Sequence, residues 1–235
     1  MINVLKWDSN FFNRKIGELE VTDKSLCLVE AALKKAKKEA YEYVMCKLKD
    51  YNTIQSRHLE FLGFYLSDMG ITWAIQIDKF SYTRSNENDH DIRAATDSDI
   101  PSIKEIAGPL FRESRFYNDP FYSKEDADKL YDAWIENSVN GDAADIVLYI
   151  HKKGFITCKK SPNDKGHIVI IGVTIDQRGK SLGSALIKEA LKWFQTQGVN
   201  LVSVRTQLKN IDAMNFYSKL GFFIKEYDMV YAITI

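Results

Sequence analysis

This chain lacks a net charge: 32 lysines and arginines balance 32 aspartates and glutamates over 235 residues. The balance excludes a generalised nucleic-acid or anionic-membrane surface, so any anionic ligand must be held locally. Long apolar runs are also missing. With neither a signal-peptide core nor a membrane span in the sequence, the chain reads as cytoplasmic. Cysteine is scarce, at Cys27, Cys46 and Cys158, odd in number and without metal or redox spacing. Reduced core thiols are expected, and no metal site. What remains is ample: 45% hydrophobic and 12% aromatic residues can build one large domain or two small ones.

The stretch 172–221 carries the chemistry. The run before it, from His167 to Ile175, is β-branched and continuously apolar, which predicts a strand buried on both faces. Next come Arg178, Gly179, Lys180, Ser181, Leu182, Gly183 and Ser184, and then apolar residues at helical spacing: Leu186, Ala190, Leu191 and Phe194. A glycine turn that opens a helix aims unpaired N–H groups and the positive helix end at one point, where a phosphate fits. Arg178 and Lys180 add positive charge. A P-loop reading would need glycine five positions before Gly179, where this chain has Thr174. A strand-to-helix turn without a ligand is the other alternative.

A second strand is predicted from Leu201 to Gln207, followed by Asn210, Ala213, Phe216, Tyr217, Lys219, Gly221 and Phe222. With these residues the sequence resembles the GNAT superfamily of acyl-CoA-dependent N-acyltransferases. There an R-G-x-G-x-G/A loop binds the coenzyme pyrophosphate, and an N-x-x-A-x-x-x-Y-x-K-x-G-F helix supplies an asparagine contact and a tyrosine acid. Arg178, Gly179 and Gly183 match the loop while Ser181 replaces its middle glycine; Asn210 and Tyr217 match the helix. The resemblance implies a GNAT fold of the α/β (α+β) class, a mixed, mostly antiparallel sheet flanked by helices. It implies acyl-CoA as co-substrate, its arm paired with the backbone at Ile171 and Val173, and Tyr217 as the acid that protonates the leaving thiolate.

The first eighty residues contain an internal repeat: shifted by 158, they lay Val44 on Val202, Asn52 on Asn210, Gly63 on Gly221 and Ala74 on Ala232. Tyr217 falls on Leu59, and the loop position reads Val21, Thr22, Asp23, Lys24, Ser25, without glycine. Residues 1–80 are therefore expected to be a truncated, non-catalytic GNAT-like half, 81–91 a polar linker, and 92–235 the catalytic domain.

Between 111 and 134 aromatic residues cluster around Arg112 and Arg115. Rings and an arginine with loop composition suit a base or sugar face and a phosphate, with Arg115, Tyr117 and Tyr122 as the binding residues. Trp7, Asp8, Ser9, Phe11 and Phe12, then Ser114 to Phe116, then Trp134 to Asn137 are similar to the TDP-fucosamine acetyltransferases and related sugar-nucleotide N-acyltransferases. That resemblance adds Asn137 to the substrate residues and implies a dTDP-linked amino sugar as acceptor, in the synthesis of bacterial surface polysaccharide such as the O-antigen of lipopolysaccharide. A homodimer is compatible with it. A protein or small-amine N-acetyltransferase, or a non-catalytic acyl-CoA-binding protein, would share the coenzyme site. The glutamate base that many superfamily members carry on the buried strand is missing; His167 at its start is expected to face solvent, with water or an already neutral amine serving instead.

Overall fold

The computed structural model describes residues 1–21, 26–49, 53–79 and 90–235. The linker up to residue 89, the first-half loop at 22–25 and Asn52 lie outside the described residues. The strands are β1 (Ile2–Val4), β2 (Ile16–Leu19), β3 (Tyr43–Lys49), β4 (Tyr65–Gln76), β5 (Arg93–Ala94), β6 (Ile146–Ile150), β7 (Gly154–Ser161), β8 (Lys165–Val173), β9 (Leu201–Gln207) and β10 (Phe223–Thr234). The helices are α1 (Lys6–Phe12), α2 (Leu26–Lys38), α3 (Thr53–Phe61), α4 (Ile100–Ala107), α5 (Arg115–Asn118), α6 (Lys124–Val139), α7 (Leu182–Thr196) and α8 (Ile211–Lys219).

All ten strands form one sheet in the order β1-β2-β3-β10-β4-β9-β8-β7-β6-β5. Only β2·β3 and β8·β9 pair in parallel; the other pairs are antiparallel. The shift of 158 reproduces the bounds of β3 on β9, α3 on α8 and β4 on β10. In space, however, the last strands change places. β4 lies between β10 and β9, while β10 lies between β3 and β4. Where β4 meets β10, Gly70 stands opposite Asp228, and these two positions are themselves 158 apart. Each strand carries one extra residue, Ser67 in β4 and Lys225 in β10, again 158 apart. The two parts thus meet about a local two-fold axis through the Gly70 and Asp228 pair.

Alternation along each strand sends side chains to two faces. Helices α2, α3, α7 and α8 cover the first face, where Val44, Cys46, Leu59, Met229 and Tyr231 form one core and Ile71, Trp73, Ile168, Leu186, Phe194 and Val204 another. Helices α1, α4, α5 and α6 cover the second face, over Tyr43, Met45, Val230 and Ala232 at one end and Val147, Tyr149, Phe155 and Ile170 at the other. Cys46 and Cys158 are buried free thiols, and burial pushes the Cys46 thiol up to about 12. Among the described residues, no helix is long and apolar enough to cross a membrane.

At the axis the second face is ionic. Arg205 on β9 makes two hydrogen bonds to Asp228, at 2.9 and 2.7 Å, and one of 3.3 Å to Asp68. Its guanidinium lies against Gly70, where a Cβ would sit 1.9 Å from Nη2, so any side chain there would have to displace the arginine from its carboxylates. A second polar clamp holds α5 to the sheet. The Asp119 carboxylate, 2% exposed, accepts from Tyr43 Oη at 2.6 Å, from Tyr65 Oη at 2.8 Å, from the Ser67 hydroxyl and from the Phe121 N–H.

Asp119→Ala would leave those hydroxyls in a buried site without an acceptor. A loss of roughly 3 kcal/mol is expected, read as a lower urea midpoint.

Candidate active site

The parallel pair β8·β9 is the centre of the site because it does not run to the end. Pairing holds from Lys165 on Leu201 to Ile168 on Val204 and stops there. Beyond it, 170–173 of β8 still pair with β7, and Arg205 to Gln207 of β9 still pair with β4. One edge of each strand is consequently open and the two strands splay. The extra residue that shifts the β7·β8 register is Val169, at the point where the splay begins. A bulge bends its strand and strengthens the local twist, which gives the divergence a physical cause.

The expectation of a strand buried on both faces is corrected here. Burial along β8 alternates, with His167 and Val169 exposed, and Ile175 lies past the strand in a 3-10 turn at Ile175–Gln177. An uninterrupted apolar run looks like a doubly covered strand, but the second face is open beside the splay. Ile171 and Val173 fall on the open edge, Val173 at its mouth.

At that mouth the glycine turn opens α7. Gly179 has φ +75°, and a Cβ there would meet nothing within 4 Å, so the turn faces free space. Ser181, which stands where the motif has glycine, has φ 62° and ψ 6°, the left-handed region. The chain thus keeps the glycine backbone with a serine in it, at a conformational cost. Ser181 is the N-cap of α7 but makes no side-chain cap bond, so the first-turn N–H groups of Leu182, Gly183 and Ser184 have no hydroxyl partner from it. Gly183 lies against α8: a Cβ would sit 3.2 Å from the Phe216 ring. Arg178 and Lys180 flank the turn, Lys180 donating to Gln177 at 3.3 Å.

Across the splay, α8 begins at Asn210, whose side chain accepts from the Ala213 N–H at 3.2 Å. Asn210 is therefore an N-cap as well as a motif residue. Tyr217 is buried in the last turn of α8, its ring 5.5 Å from Phe222 and 6.5 Å from Trp73. Burial alone raises its phenol above the ordinary value. Its hydroxyl makes no hydrogen bond to any described residue.

The expected substrate residues are only partly brought together. Rather than a loop, 115–118 form the short helix α5, and most of the rings are core. Tyr122 is 7% exposed, wedged among Phe12, Tyr43 and Phe116. Tyr117 stacks on Tyr131 and donates to Asp128 at 2.6 Å. Asn137 lies in the last turn of α6, its carbonyl accepting from the Ala143 N–H. Arg115 is half-buried above β3, with a nitrogen 3.1 Å from Met45 Sδ and no carboxylate within salt-bridge distance among the described residues. Missed in the sequence were Arg205, Asp68 and Asp228, which only the strand exchange juxtaposes, and Trp73, which lies in the other part of the chain from Tyr217. His167 does face outward, but its Nδ1 is 2.6 Å from Ser203 Oγ. Burial, then Lys225 and Lys165, lowers its pKa.

Residues 110–222 match the Acetyltransferase (GNAT) family. The chain carries a GNAT acetyltransferase domain. It is 25% identical over 225 residues to a dTDP-fucosamine acetyltransferase of Escherichia coli O6:H1, covering 94% of this chain and 92% of that protein. It is 29% identical over 126 residues to the spore coat polysaccharide biosynthesis protein SpsD of Bacillus subtilis, covering 53% of this chain and 44% of that one. Among solved structures, a GCN5-related N-acetyltransferase from Sphaerobacter thermophilus superposes with a TM-score of 0.65 at 16% identity, over 93% of this chain and 73% of that one, which is a likeness of fold. That domain makes the protein an acyl-CoA-dependent N-acyltransferase.

Two substitutions test the glycine turn. Ser181→Gly relieves the left-handed serine and should raise the thermal midpoint by about 2–4 °C in a GNAT chain of this length. Gly183→Val should push on Phe216 and weaken coenzyme A binding at least tenfold by calorimetry; unchanged affinity would remove the turn from the site.

Proposed function

We propose that this enzyme acylates the amino group of a dTDP-linked amino-dideoxy sugar, in the cytoplasm, for bacterial surface polysaccharide. The observation that carries the sugar-nucleotide reading is the length of the likeness to the dTDP-fucosamine acetyltransferase, which runs through the first hundred residues as well as residues 110–222. In this reading residues 1–80 are a truncated, non-catalytic GNAT-like half, 81–91 a linker and 92–235 the catalytic domain.

The coenzyme pyrophosphate rests on the N–H groups from Gly179 to Ser184, with Arg178 and Lys180 beside it. The pantetheine arm fills the splay and takes the open backbone edge at Ile171 and Val173 in place of a strand. Asn210 closes the other side. At the closed end the first face is filled by Phe194 and Tyr217, both buried, whereas His167, Val169 and Arg205 are exposed. The amine therefore arrives over the second face, with Arg115, Tyr117, Tyr122 and Asn137 toward the nucleotide. Its nitrogen attacks the thioester carbonyl, the open-edge N–H groups stabilise the oxyanion, and the C–S bond breaks as Tyr217 gives its proton to the thiolate. The acyl group is acetyl or a longer chain such as hydroxybutanoyl.

A protein or small-amine acetyltransferase would be favoured by an acidic groove together with no nucleotide binding. The structure has an acidic groove of about 410 Å³ lined by Asp126, Asp132 and Glu136, but it lies between α1 and α6 and takes no residue from β8, β9, α7 or α8.

A thermal-shift screen of dTDP-amino sugars with several acyl-CoA thioesters should raise the midpoint only for a matching pair, and ATP with magnesium should leave it unmoved. Tyr217→Phe should lower kcat by about 100-fold with little change in KM; full turnover would remove its acid role.

A further inference from the structure

Trp73 is 7% exposed, and its indole Nε1–H has no hydrogen-bond partner. A buried donor left unpaired costs stability, and phenylalanine would fill much of the same space without that cost. The aliphatic side chains packed around it offer no acceptor. Trp73 pairs with Val204 on β9 and with Ile224 on β10, and its side chain belongs to the apolar core with Ile71, Ile75, Leu191 and Phe222. The nearest ring that carries a polar atom is Tyr217, 6.5 Å away and tilted by 41°. Its register partner Val204 is the residue that faces Ile168, where β8 and β9 part. The orphan donor therefore lies on the first face, beside the closed end of the splay, next to a phenol that also has no partner.

We propose that Trp73 positions and supports Tyr217 during acyl transfer, its indole N–H donating to the Tyr217 oxygen directly or through one water. The inference rests on Tyr217 being the acid. In that step the Tyr217 O–H bond breaks, an S–H bond forms on the departing coenzyme, and the phenol oxygen is left negative in an apolar site. Burial is the sole cause of the raised Tyr217 pKa; Arg205, Asp68 and Asp228 project to the opposite face of the sheet. The indole N–H is then the available dipole that meets the new charge. The proton lost by the attacking amine reaches solvent and later restores the phenol. Because β4 is the last strand of the first part of the chain, that part supplies a working group to a site otherwise built from 110–222.

The test is a double-mutant cycle with acetyl-CoA, following thiol release with an acceptor amine. Trp73→Phe should fold with an unchanged or higher thermal midpoint, bind coenzyme A within twofold of wild type, and lose about tenfold in kcat at constant KM, as expected for one lost hydrogen bond to a charged oxygen. In a Tyr217→Phe background the same change should cost nothing further. Wild-type kcat in Trp73→Phe, or an equal loss in both backgrounds, would overturn the inference while leaving Tyr217 as the acid. Full activity of Tyr217→Phe alone would instead remove the acid reading, and this inference with it.

Discussion

Strand β4 is hydrogen-bonded along one edge to β10 and along the other to β9, so neither part of the chain completes its sheet alone. Every other feature follows from that exchange. It joins ten strands into one sheet and brings Asp68 within reach of Arg205, and it carries Trp73 under Tyr217. Antiparallel pairing at a local two-fold repeats each cross-strand pair on the other side of the axis, Leu66 with Tyr231 and Trp73 with Ile224, which is why the two extra residues, Ser67 and Lys225, occur at matching positions. A bulge in only one strand would put the two halves out of register.

The exchange also explains how a splay can exist inside a continuous sheet. Open strand edges invite pairing with other chains and destabilise a fold unless something else holds the strands. Here β8 is held by β7 and β9 by β4, so each can leave its neighbour without losing its place. The open backbone between them is thus a surface with donors and acceptors and no partner, the property that a long polyamide arm such as pantetheine needs. The charged turn at its mouth and the apolar core around Tyr217 differ sharply in polarity. An anion at one end and a proton transfer at the other suit those two environments.

The two faces of the sheet divide the work. The first face is covered by α7 and α8, with the Tyr217 side chain in its apolar core. On the second, α5 is tied to β3 and β4 through Asp119, which fixes Arg115 above Met45. The aromatic residues from 111 to 134 serve mostly as the filling that makes this attachment rigid, as the ring stacks of Phe12, Tyr43, Phe116 and Tyr122 show.

Local order and composition were enough to find the glycine turn, the helix it opens, the Asn210 and Tyr217 helix, and the repeat at a shift of 158. These depend on contacts within a few residues or on like sequences folding alike. Composition misled at β8, where an apolar run signalled two covered faces although only one is covered, and at Tyr122, where a ring in a polar stretch is a buried core residue. The crossing of β4 and β10 was beyond local reading. Either strand satisfies its own backbone equally well in its own half or in the other, so no residue pattern distinguishes the two arrangements. Only packing decided it, through Arg205 lying on Gly70 between Asp68 and Asp228. With that choice came the pairing of Trp73 and Tyr217, 144 positions apart in the chain.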